Sequence, residues 1–117
     1  MPRVTKEGWE FEAMPHVSQT ELLDELDAAD TDAVSVFGSE RMTVGLKRYS
    51  EETASDKGSR EHARDELYYV LSGAGTMSVD GTVHAVAAGD LVYVEEGASH
   101  DIVDVAEELT VVKVFTK

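Results

Sequence analysis

The chain has 117 residues, 42% of them apolar, with no cysteine and 24 acidic against ten basic residues, a formal net charge of −14. That length supports one domain around a single core and is too short for two. The lack of cysteine excludes a disulfide framework and a thiolate metal centre, and the acidic excess disfavours nucleic acid or an anionic membrane as partner.

Residues 1–17 have no strong period, and Trp9 and Phe11 alternate with glutamates, so this stretch reads as an edge strand or an arm laid over the rest. It lacks the apolar core of a signal peptide, and no run in the chain approaches membrane-spanning length; a cytoplasmic protein is expected. His16 in this arm reads as a solvated loop histidine. Ser18-Gln19-Thr20-Glu21 is a capping box. It predicts a short helix over residues 19–28 with Leu22, Leu23 and Leu26 on its inward face. Asp30-Thr31-Asp32 then turns the chain. Residues 1–32 are thus an arm with a short helix, and 33–117 a β domain.

From Ala33 onward the period is that of strands. Val34 and Val36 alternate with Ser35, and Gly38-Ser39-Glu40 turns into a strand where Met42, Val44 and Leu46 alternate with Thr43, Gly45 and Lys47. Residues 50–59 form a polar loop. Glu66, Tyr68 and Val70 share one strand face and Leu67, Tyr69 and Leu71 the other. Both faces are apolar beyond the glutamate, so this strand is expected to be covered on both sides. Ser72-Gly73-Ala74-Gly75 reads as a turn between strands. Thr76–Asp80 and Thr82–Val86 flank Asp80-Gly81, a strong hairpin signal. His84 in the second of these strands reads as structural or surface. Leu91–Glu95, His100–Val105 and Leu109–Phe115 complete eight or nine short strands, the pattern of a closed barrel or sandwich.

The chemistry-bearing residues fall in two stretches, 60–73 and 89–104. They resemble the two cupin motifs, G(X)5HXH(X)3,4E(X)6G and G(X)5PXG(X)2H(X)3N. His62 takes the second histidine, Glu66 the glutamate and Gly73 the closing glycine, while Gly89, Gly97 and His100 match the second motif without a gap. The sequence departs from the motifs at four positions: Ala54, Arg60, Glu95 and Asp104 replace the family's glycine, first histidine, proline and asparagine. Only Arg60 replaces a metal ligand.

The resemblance implies an all-β double-stranded β-helix, a cupin or jelly-roll barrel, with one short N-terminal helix. It also implies that His62, Glu66 and His100 converge at one mouth of the barrel. Two imidazoles and one carboxylate suit Fe, Mn, Ni, Co or Zn and leave positions for water or a substrate. Arg60 cannot ligate a metal; it is either swung out to the acidic surface or set to bind a carboxylate or phosphate. Tyr68 and Arg60 are the catalytic candidates. Arg60, Tyr68, Met42, Val44 and Ile102 are the candidate pocket lining. Asp104 shares the parity of His100 and is a candidate to orient its imidazole.

Three readings follow: a metal-dependent cupin acting on or binding a small organic acid, a metal-free small-ligand binder or sensor with Arg60 as anion anchor, and a structural barrel with a vestigial site. Oxygenase, isomerase and lyase chemistry all occur on this family's site. A homodimer is expected, with the Trp9–Phe11 arm crossing between subunits. The dispersed acidity suits adaptation to a salty cytoplasm, as in halophiles; the alternative is an ordinary acidic protein made soluble by its charge.

Overall fold

A computed structural model describes residues 16–51 and 63–117, together with the backbone of β1 (Val4–Thr5) and β2 (Gly8–Trp9). These two short strands pair with each other and lie against β3. Arg60 and His62, like Phe11 in the arm, lie outside the described residues.

Helix α1 spans Gln19–Ala28, as the capping box predicts. The Glu21 amide donates to Ser18 Oγ at 3.1 Å and the Ser18 amide to Glu21 Oε1 at 3.4 Å, so both halves of the box form. Leu22 and Leu26 are buried with Val36 and Leu46. Each contributes roughly 1.5–3 kcal/mol of apolar burial. Arg48 pins the helix from below through Asp27, at 2.8 Å.

Six strands follow: β3 (Ala33–Gly38), β4 (Met42–Tyr49), β5 (Glu66–Val79), β6 (Thr82–Ala87), β7 (Leu91–Val94) and β8 (His100–Thr116). All their pairings are antiparallel. The long strands β5 and β8 pair from Glu66↔Phe115 to Val79↔His100 and each serves two walls. One wall runs β3-β4-β8-β5-β7, using the first part of β5 and the last part of β8; β6 pairs with the other end of β5. The result is a jelly roll with one short helix, as expected.

Two boundaries differ from expectation. Ser72–Gly75 is not a turn, and 100–105 and 109–115 are not separate strands; in each case one strand continues through a bend. Register shifts between Val70 and Met77 make the bend, letting the sheet fold over without breaking. Gly73 sits there at φ +90, and a Cβ on it would collide with the Glu108 carbonyl of the crossing strand. Only glycine lets the backbones approach so closely.

The core between the walls takes Tyr68, Val70, Leu109 and Val111 from one side and Met77, Val86, Ile102 and Val105 from the other. The outer face of the β5–β7 wall is bare. Leu67, Tyr69, Leu91 and Tyr93 are 37–64% exposed, so the expectation that β5 is covered on both sides does not hold for this face.

Candidate metal and ligand site

Strand period carries Glu66, Tyr68 and Val70 inward together. Glu66 enters at the first residue of β5, between Val94 and Phe115 on the neighbouring strands. The entry is clamped. The Asp65 amide donates to Thr116 Oγ1 and the Thr116 amide to the Asp65 carbonyl, both at 3.0 Å, while Asp65 Oδ1 accepts from the Glu96 amide at 2.8 Å.

His100 is the first residue of β8 and is held by a hairpin from the other end of β5. Asp80-Gly81 forms the two-residue turn the dipeptide predicts, with φ values of 49 and 81. The Asp80 amide donates to the Ser99 carbonyl at 2.8 Å, and the Ser99 amide donates to Asp80 Oδ1 at 3.1 Å. The hairpin tip therefore fixes the backbone immediately before the imidazole.

Inside the barrel these elements bring three polar side chains together, with Glu66 2%, Tyr68 2% and His100 8% exposed. The Tyr68 hydroxyl lies 3.3 Å from Glu66 Oε1 and 3.1 Å from His100 Nε2. It carries one proton, so it donates to one partner and accepts from the other. His100 Nε2 stands 3.5 Å from Glu66 Oε2. Two ligand atoms each about 2.0–2.2 Å from one cation lie about 3.0–3.5 Å apart, so this pair fits a shared divalent ion. Among the described residues no three of His, Asp and Glu stand together, and His62 lies outside them.

The other expected lining residues separate. Ile102 joins Tyr68 in the core. Val44 packs on the opposite face of the wall, in the cluster under α1, and Met42 is 42% exposed. Met42–Thr116 and Val44–Val114 pair on the parity of Leu67, not of Tyr68, which explains why neither reaches the pocket. Asp104 is exposed: the register slips between Thr76 and Met77, so the parity shared with His100 is lost before residue 104. His84 and His16 are exposed.

The residues of β4 and β8 that do face inward are the ones sequence reading missed. Gly45 pairs with Lys113, and Lys113 with Tyr68. The Lys113 ammonium stacks 5.5 Å from the Tyr68 ring centroid and 5.1 Å from that of Phe115, and the Lys47 ammonium 4.9 Å from that of Tyr49. A cleft of about 550 Å³ runs along β3 and β4, lined by Val34 and Leu46 of the face under α1 as well as by Ser35, Gly45, Lys47, Lys113 and Phe115, and reaches Glu25 and Ala29 at the end of α1.

The family model for the Cupin domain matches residues 49–115, which include Glu66, Tyr68, His100 and Lys113. The chain belongs to the cupin family. An uncharacterised protein of Streptomyces coelicolor is 38% identical over 98 residues, covering 80% of this cupin and 91% of the relative. A solved structure from Bacillus halodurans superposes with a TM-score of 0.71 at 16% identity, over 89% of this cupin and 82% of that chain. A predicted oxalate decarboxylase from Thermotoga maritima gives 0.62 at 21% identity, over 72% and 77% of the two chains. An RmlC-like cupin from Shewanella frigidimarina gives 0.65 at 15% identity, over 72% and 73%. At these identities the solved structures establish the jelly roll.

Proposed function

We propose that this cupin binds a divalent metal through His62, Glu66 and His100 and uses it to bind or transform a small organic acid. One observation carries the reading: a carboxylate oxygen and an imidazole nitrogen 3.5 Å apart, both buried inside the barrel. Burying a carboxylate costs several kcal/mol unless a cation or hydrogen bonds offset it. The set suits Fe, Mn, Ni, Co or Zn. Such an ion, when bound, supplies Lewis acidity and an open position for a substrate oxygen. The predicted oxalate decarboxylase among the structural neighbours is compatible with a small acid as ligand.

The chain's own groups have definable tasks. Glu66 and His100 supply the metal donors from rigid strand ends. Tyr68 donates to Glu66 Oε1, which leaves Oε2 facing His100. Its hydroxyl lies within hydrogen-bond distance of both donors, which makes Tyr68 the candidate to hold or pass a proton.

Titrating Mn(II) and Zn(II) into protein stripped with a chelator tests the reading. Tight stoichiometric binding is expected, lost in Glu66→Gln and in His100→Ala. The hydroxyl bridge from Tyr68 to both partners supports a second reading, a metal-free binder in which hydrogen bonds alone hold the cluster. Absence of metal binding in the wild type would select it.

A further inference from the structure

We propose that Arg64 is an oxyanion anchor, holding the acidic end of the ligand at the mouth of the barrel beside Glu66. This rests on the small-acid reading above and gives Arg64 the task that the sequence offered to Arg60.

Arg64 precedes Glu66 by two residues and is half-buried. Its guanidinium carbon lies 4.8 Å from the centroid of the Phe115 ring. Phe115 pairs with Glu66 across β5 and β8. Directly opposed residues share one face of a sheet, so this ring lies on the face that carries Glu66 and Tyr68 inward. Stacking on it sets the arginine at the inner edge of the wall, next to the buried carboxylate and not out on the acidic surface. The intervening Asp65 is engaged elsewhere, its Oδ1 accepting from the Glu96 amide at 2.8 Å.

With 24 acidic against ten basic residues, an arginine of this chain readily finds carboxylates. Arg48 does so, with Asp27 at 2.8 Å and Glu108 at 3.2 Å. Arg64 has no ion pair and no hydrogen bond among the described residues. Its Nε is buried without a partner, and a buried donor left unmade carries a desolvation cost that calls for a reason. The ring holds the guanidinium by its flat side and uses none of its N–H donors. The terminal amino groups remain as the open end of a planar fork that fits a carboxylate or phosphate. Lys113 lies 5.1 Å from the same ring but has further partners of its own. Elsewhere the net charge of −14 repels a small anion, so a local cation with donors to spare is what admits one. A ligand whose acidic group sits at Arg64 has its other end towards Glu66, and through Glu66 towards Tyr68 and His100.

The ligand class is a small organic oxyanion, a carboxylate or a phosphate ester. Calorimetric titration with malonate, succinate and inorganic phosphate as probes separates the two, at matched ionic strength, with chelator and with Mn(II). At least one probe is expected to bind the wild type. Arg64→Met keeps an apolar stem on Phe115 and removes the donors, so it should weaken that probe about ten- to a hundredfold, the loss expected for a hydrogen bond to a charged group. Arg64→Lys keeps the charge and loses the fork, so its affinity should fall between the two. A wild-type melting temperature shows that Arg64→Met folds; if it melts early, Arg64→Lys carries the test, and wild-type affinity there overturns the anchor. No binding of any probe, or unchanged binding in a folded Arg64→Met, also overturns it. Metal titration of the same proteins separates the two proposals. A folded Arg64→Met that loses the anion and keeps the metal supports the anchor. Metal binding by a wild type that takes no probe overturns the anchor and leaves the metal reading. Anion binding that depends on Arg64 in a wild type without metal affinity leaves the anchor standing and removes the metal reading.

Discussion

Replacing Glu66 by leucine should make the metal-free protein more stable and abolish its response to metal. Glu66 is 2% exposed, so its carboxylate has almost no solvent contact. The effective desolvation penalty of such a group is several kcal/mol. Two of its polar contacts among the described residues are long: the Tyr68 hydroxyl at 3.3 Å and His100 Nε2 at 3.5 Å, against a usual O–H···O length of about 2.7–2.8 Å. A good hydrogen bond to a charged group gives about 1.5–3 kcal/mol, and these give less. Leucine is close in volume, gains about 2 kcal/mol from burial between Val94 and Phe115, and leaves Tyr68 bonded to His100. The expected net gain is about 1–2 kcal/mol, or roughly 5 °C in melting temperature for a domain of this size. Wild type at a hundredfold excess of metal over its Kd gains about 2.7 kcal/mol, and the variant gains nothing. Thermal melts with chelator and with Mn(II) read both effects. A variant less stable than wild type under chelator would show that the carboxylate is a structural ion-pair partner. Equal metal-induced shifts in both proteins would remove Glu66 from the ligand set.

Four further outcomes are expected. Gly73→Ala should cost about 3 kcal/mol or more in denaturant unfolding, from the left-handed φ of +90 and the overlap with the Glu108 carbonyl; a loss below about 1 kcal/mol would mean that the β5–β8 bend relaxes freely. Melting temperature should climb between dilute and molar KCl, because the Debye length falls to about 3 Å at 1 M and screens the acidic surface; a flat profile would remove the case for halophilic adaptation. Light scattering at high salt should give a homodimer through the bare face of Leu67, Tyr69, Leu91 and Tyr93, and Tyr93→Glu should give a monomer; a monomeric wild type refutes this. Arg60→His should raise metal affinity by adding a fourth ligand, a third imidazole, and removing a positive charge; equal affinities in the two proteins would place residue 60 away from the site.

Much of the fold around the candidate site was legible because its signals are local. The capping box ties Ser18 to Glu21, Asp80-Gly81 closes a two-residue hairpin, and period two puts Glu66, Tyr68 and Val70 on one face. Each depends on neighbours within a few residues, where backbone sterics and side-chain reach decide the outcome. The spacing of Glu66, Gly73, Gly89, Gly97 and His100 was also enough to suggest the family that the comparisons establish. The lining failed for a reason inherent in the fold. Both sets of β4 side chains are packed, one under α1 and one inside the barrel, so alternation cannot say which set faces the site. Apolar side chains suggest an interior, which is why Met42 and Val44 read as lining.

By itself the sequence determined the helix and its cap, the all-β character of residues 33–117, the turn chemistry, the charge and the residues with metal-donor chemistry. These follow from local conformational preference and from side-chain type. Tertiary structure decided what depends on register between distant strands. It made β5 and β8 continuous through bends where glycines and apparent breaks suggested turns. It turned Asp104 outward through a slip in pairing, and left the β5–β7 face bare. It also set Lys113 beside Tyr68, 45 residues apart in the chain, because pairing across the sheet, unlike period along a strand, is chosen by how the whole core packs.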